Sequence, residues 1–104
     1  MQQSAKRNAI KYCNAFISHC AYFYFTNENS VDLAQLTEAQ VNNYKCVEAA
    51  LLYFEPDEVD MLRNVFTSGL PLADAMDILN QKGESGWFTV RKFIKLAANH
   101  RGLI

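Results

Sequence analysis

No uncharged run in this sequence is long enough to cross a bilayer. The longest, Tyr12 to Asn27, contains Asn14, Ser18 and His19 and falls short of the roughly 20 apolar residues a span requires. Lys6 and Arg7 precede an apolar stretch, but Cys13, Asn14 and His19 interrupt it and no small-residue cleavage site follows, so no secretory signal is expected. Cysteine occurs only three times, at 13, 20 and 46. An odd number in helix-like surroundings fits buried, reduced thiols in the cytoplasm better than a disulfide framework. Glycine is scarce too, and the four at 69, 83, 86 and 102 stand at turns, which leaves no glycine-rich phosphate loop. There is no internal repeat and no low-complexity segment.

The residues that carry most enzyme chemistry are equally thin. His19 and His100 are the only histidines and lie far apart, with no acid pattern to orient them. Cys13 and Cys20 share a helical face, but His19 points about 100° away from Cys20, which strains a local zinc site. Cys46, between Lys45 and Glu48, has no base beside it in sequence. Asp57, Glu58 and Asp60 stand at a helix start, where acids are expected anyway, and Asp74 and Asp77 form only a pair. No metal, cofactor or self-sufficient catalytic site is expected, and the chain reads as a non-enzyme.

What is present is a core. Of 104 residues, 50% are hydrophobic and 12% aromatic, enough for one packed domain and too few residues for two. Ile10, Cys13, Ile17, Cys20 and Tyr24 recur at three- and four-residue steps, which predicts a first helix over about 4–25. Residues 27–36 read as a connection. Thr37 with Gln40 forms a capping box for a second helix, whose stripe is Val41, Tyr44, Val47, Leu51 and Phe54. Pro56 starts a third, with Val59, Leu62 and Phe66 inward, and Gly69 stops it. Pro71 opens a fourth carrying Leu72, Ala75, Met76 and Leu79, closed by Gly83. Ser85 caps a fifth, from Trp87 to about His100, ended by Gly102. No strand is needed for any apolar residue. The expectation is an all-α, compact bundle of about five helices spanning 1–104 as a single domain.

The net charge of −1 conceals segregation. Residues 1–27 hold three cations and no acid, whereas residues 28–60 hold eight acids against Lys45 alone, a balance of −7. Residues 82–104 hold Lys82, Arg91, Lys92, Lys95 and Arg101 against Glu84, a balance of +4. On the fifth helix Val90, Phe93, Ile94 and Ala97 fall on one side, with Leu96 at its margin. Phe88, Arg91, Lys92, Lys95 and Asn99 share an opposite sector about 100° wide. Cations neutralise phosphates or donate to guanine, and an asparagine can pair with adenine, so this side has the chemistry of a helix lying in a major groove.

Residues 71–101 resemble a helix-turn-helix, with Leu72 to Gln81 as supporting helix and Trp87 to Asn99 as reading helix. The run Phe88-Thr89-Val90-Arg91-Lys92-Phe93-Ile94 is similar to reading helices of winged-helix and sigma-factor region 4 proteins. Arg101-Gly102-Leu103-Ile104 looks like the end of a winged-helix reading helix, where a wing strand begins. Glu58 to Gly69 resembles the preceding helix in sigma-like regulators, including phage transcription regulators, which extends the likeness to 58–104. The connection Lys82-Gly83-Glu84-Ser85-Gly86 is longer than the motif's usual tight turn. The resemblance implies DNA binding and a regulatory role, through Phe88, Arg91, Lys92, Lys95 and Asn99 with Lys82 at the flank.

A second reading stands beside it: a helical interaction module that docks a protein through the acidic stretch 28–60 or the aromatic run Tyr22 to Phe25. That run presents more aromatic surface than one helix face absorbs, so part of it is exposed or covered. The heptad-like spacing of the first helix also allows a homodimer.

Overall fold

The computed structural model describes residues 2–81 and 86–104, with side chains from Lys11 onward. Lys82, Gly83 and Ser85, expected to flank, end and cap helices, lie outside the described residues. The described residues form five α-helices: α1 (Gln2–Asn27), α2 (Glu38–Leu51), α3 (Pro56–Thr67), α4 (Leu72–Gln81) and α5 (Gly86–Arg101). No strand occurs among the described residues, and the protein is all-α.

Helix α1 runs slightly beyond its expected limits at both ends. Its last turn closes on its own side chains, as Thr26 Oγ1 donates to the Tyr22 carbonyl at 2.7 Å and Asn27 Nδ2 to that of Phe23 at 2.9 Å. These bonds satisfy carbonyls that a helix end otherwise leaves unpaired. The connection that follows contains a 3-10 turn, Leu33–Gln35, capped by Asp32. Asp32 Oδ1 accepts from the Ala34 N–H at 3.0 Å.

The remaining boundaries follow from capping chemistry. At α2 the Thr37 hydroxyl accepts from the Gln40 N–H at 3.2 Å while Gln40 Oε1 accepts from the Thr37 N–H at 3.0 Å. Helix α2 stops at Leu51, three residues before the end of its predicted stripe. Glu55 precedes Pro56 and is held extended, at φ −74° and ψ 159°, so the chain leaves the helix through a tight turn. That turn sends Phe54 inward and leaves Leu52 and Tyr53 84% and 59% exposed. Glu58 accepts from the Glu55 N–H at 3.0 Å at the start of α3. Pro71 lies one residue before α4 and accepts its first bond, from the Ala75 N–H at 3.1 Å. At the end of α5, Gly102 takes φ +82°. The Leu103 N–H reaches the Ala98 carbonyl at 2.9 Å and the Gly102 N–H that of Asn99 at 3.1 Å, a Schellman ending. Leu103 and Ile104 then continue as coil and not as a wing strand.

Helix α5 touches each of the other four. Its Val90, Phe93 and Ala97 are fully buried beside Ile17 and Cys20 of α1, Val47 and Ala50 of α2 and Leu62 of α3. Phe93 lies 5.3 Å from Phe66 and 6.3 Å from Phe54, ring centre to ring centre, as edge-to-face and tilted pairs prefer. Ala21, Ala50, Ala97 and Ala98 have no exposed surface, and such small side chains let helix backbones approach closely. Tyr24 and Tyr44 join α1 to α2 with rings 4.7 Å apart, and burial raises both phenol pKa values. From Cys13 onward the predicted α1 stripe is used inside this core, since Cys13, Ile17 and Cys20 are all buried within one chain.

Leu62→Ala is expected to lower stability by roughly 2–5 kcal/mol through transfer and cavity costs, read as a lower urea midpoint at unchanged m-value. Gly102→Ala meets no atom within 4 Å, so its cost is purely conformational, about 1 kcal/mol for a left-handed residue with a Cβ. An unchanged midpoint for Leu62→Ala would show that its burial does not support the fold, and one for Gly102→Ala that the left-handed ending does not.

Candidate nucleic-acid interface

The α5 sector expected to face outward does so. Phe88 is 72% exposed, and Arg91, Lys92, Lys95 and Asn99 are all exposed. The opposite side of the same helix is locked in the core, so these five side chains project from a backbone that cannot roll. Among the described residues, no carboxylate forms an ion pair with Arg91, Lys92 or Lys95; the ion pairs seen are those of Arg63. The Arg91 guanidinium lies 4.4 Å from the centre of the Trp87 ring, and Lys92 Nζ lies 5.4 Å from that of Phe54. Cation–π contact orients such side chains at an exposed site for about 0.5–1 kcal/mol without neutralising them. Trp87 in turn meets Phe88 edge-on at 5.7 Å, so the N-terminal turn of α5 carries an aromatic pair against an arginine.

Support comes from α3 and α4, which touch each other and α5 in a three-way packing. Ala75 and Met76 of α4 are buried, and Gly86 sits so near the α4 side chains that an added Cβ would lie 2.9 Å from Leu79 Cδ1 and 3.0 Å from Met61 Sδ of α3. Gly86 thus brings the start of α5 close to its supporting helix, a role its reading as a turn glycine does not include.

Two groups of charge counted in the sequence are engaged within the fold. Arg101, counted in the basic C-terminal balance, turns to α2, where its Nε donates to Asn43 Oδ1 at 2.7 Å and its guanidinium lies 5.6 Å from the Phe16 ring centre. It ties helices together and is not part of the outward face. The acidic stretch is largely occupied with folding work. Glu28 accepts from Arg63 Nε at 2.8 Å and Nη2 at 3.3 Å, and Asp60 accepts from the same guanidinium. Asp32 and Glu58 cap, while Glu38 and Asp57 occupy first turns, where the helix dipole favours them. Asp57, Glu58 and Asp60 line a cleft of about 810 Å³ that α5 enters through Gly86 and Thr89, on the flank away from Arg91 and Lys95. Of the aromatic run, Tyr22 is exposed, Phe23 and Tyr24 are half-buried and Phe25 is buried, with the Arg63 guanidinium 5.4 Å from its ring centre.

One feature of this face is invisible in the periodicity. Between α1 and α5 lies a groove of about 550 Å³ whose apolar walls include Cys13, Phe88, Ile94, Ala98 and Ile104, with Arg91, Lys92 and Lys95 along it. Residues separated by more than seventy positions in sequence meet there, and only helix packing brings them together. His19 is exposed while Cys20 beside it is buried, so the two do not converge. Among the described residues no group of three or more His, Cys, Asp or Glu side chains could hold a metal, and no helix is long and apolar enough to cross a membrane.

No family model matches the chain, and no curated protein or solved structure matches it. The fold and the face therefore define the class by themselves: an all-α domain presenting one rigid, cationic and aromatic helix side.

Because Lys95 and Asn99 are exposed and make no tertiary hydrogen bond among the described residues, Lys95→Ala and Asn99→Ala are expected to leave folding stability within about 0.5 kcal/mol of the parent. Thermal unfolding checks this, and a large loss would mean that the face is structural.

Proposed function

We propose that this protein binds nucleic acid through the exposed side of α5, as a regulator-like, non-enzymatic domain of the cytoplasm. The observation that supports the reading is the alignment of Arg91, Lys92 and Lys95 on one solvent-facing sector with no described carboxylate to pair them, beside Asn99 and Phe88. Cations set on a rigid helix suit a polyanion, since binding releases condensed counterions without first ordering the protein. Asn99 supplies a donor and an acceptor on the same side, the groups that read a base edge. The packing of α4 and α3 against the start of α5 supports the reading, because a reading helix needs a supporting helix to hold it.

Three engaged cations predict a log–log dependence of affinity on salt with a slope near about −3, from roughly −0.9 per neutralised phosphate. In a mobility-shift titration with generic duplex DNA, Lys95→Ala should reduce that slope by about 1, and Lys92→Glu with Lys95→Glu should abolish the shift. No shift at low salt, or a shift indifferent to charge reversal, would overturn the reading.

The apolar groove between α1 and α5 favours a second reading, in which the same basic side receives a protein segment with an apolar face and acidic margins. Phe88→Ala separates the two. Protein capture through the groove is lost with the 72% exposed ring, whereas non-specific DNA binding keeps its salt slope.

A further inference from the structure

Two apolar surfaces flank the start of α5, and they carry opposite charge. The first is the cleft of α3, α4 and α5, whose apolar wall includes Met61 of α3, Leu70, and Ile78 and Leu79 of α4. Leu70 and Ile78 are exposed although they are large and apolar. Asp57, Glu58 and Asp60 stand along this wall, and Arg63, shared between Asp60 and Glu28, leaves the side acidic. The second surface is the groove between α1 and α5, where the exposed side chains of Phe88 and Ile104 lie beside Arg91, Lys92 and Lys95. Among the described residues no cation lines the cleft and no acid lines the groove.

One molecule cannot join these surfaces to each other. Gly86 and Thr89 belong to the cleft, whereas Phe88, Arg91, Lys92 and Lys95 belong to the groove, so the two lie on different sides of a helix that the core holds fixed. Two molecules can join them. Apolar side chains of both would leave water, and the carboxylates beside one wall would meet the cations beside the other, which sets orientation as well as partner. A net charge of −1 leaves little repulsion between whole copies to oppose this.

We propose that the α3–α4 cleft of one copy receives the Phe88 side of α5 from a second copy, with Phe88 against the apolar wall and Arg91, Lys92 and Lys95 facing Asp57, Glu58 and Asp60. On the reading of the basic side as a docking surface for an apolar, acid-edged protein partner, on which this proposal rests, the partner is a second copy of the chain. The contact is heterologous. Each copy in a pair still has one surface unused, so assembly passes two copies and ends only where a ring closes or the line of copies stops.

The test is sedimentation velocity on the full chain over a concentration series, at low and at high salt, without nucleic acid. At low salt the sedimentation coefficient should rise with concentration beyond that of a dimer, and it should fall back toward the monomer value as salt screens the charges. Lys92→Glu with Lys95→Glu spoils the groove, and Asp57→Lys with Ile78→Lys spoils the cleft; all four side chains are exposed. Each double variant alone should be monomeric, with the helical circular dichroism of the parent. Mixed in equal amounts they should form a one-to-one dimer and stop there, because the intact cleft of the first takes the intact groove of the second. A parent that stays monomeric or stops at a dimer overturns the proposal, as does an assembly that either double variant leaves intact or a mixture that does not associate. Should a double variant fail to fold, the parent decides, since association that strengthens with salt is held by apolar contact alone and also overturns it. A monomeric parent leaves segment docking to stand or fall on the Phe88→Ala comparison, which needs no second copy.

Discussion

Everything in this molecule depends on the burial of one side of its last helix. Val90, Phe93 and Ala97 have no exposed surface, and residues from all four other helices close around them. A close-packed interior fixes a helix in rotation as well as position, because turning it by one residue would drive an arginine or lysine into the core. The orientation of the opposite side is therefore a consequence of packing. Phe88, Arg91, Lys92, Lys95 and Asn99 face solvent because Phe93 cannot, and they hold their spacing because the rings of Phe54 and Phe66 leave Phe93 no alternative seat.

The charges sort themselves by the same logic. Acids of the middle segment are used where helix starts need a negative partner or where Arg63 needs a carboxylate, so a strongly acidic stretch becomes a set of caps and one ion-pair cluster. Arg91, Lys92 and Lys95 of α5 have no such assignment among the described residues. The two segments carry local balances of −7 and +4, yet the first is largely spent on the fold, whereas Arg91, Lys92 and Lys95 of the second are displayed. That difference is what gives a chain of net charge −1 an electropositive side.

Helix α1 plays a part that its aromatic content hides. The described part of its stripe is absorbed by its own chain, while Cys13 and Asn14 form part of one wall of the apolar groove beside α5. Nucleic-acid contact and segment docking would use neighbouring parts of one framework, and each has its own measurable signature.

The helix count, most helix limits, the Thr37–Gln40 capping box and the exposed α5 sector were all legible in the amino-acid order. They rest on interactions within four residues, where spacing and side-chain chemistry suffice. The early end of α2 shows a local rule missed in detail: Pro56 governs the residue before it, and the turn that results takes Phe54 out of the helix while keeping it in the core. The inward turn of Arg101 and the groove wall built from Cys13 and Ile104 were not legible. Each joins residues on different helices, and which sides of two helices meet is decided by how all five fill one interior together. By itself the sequence determined that this chain is helical and which side of its last helix is charged. Tertiary structure alone decided which of those charges remain free and what lies beside them.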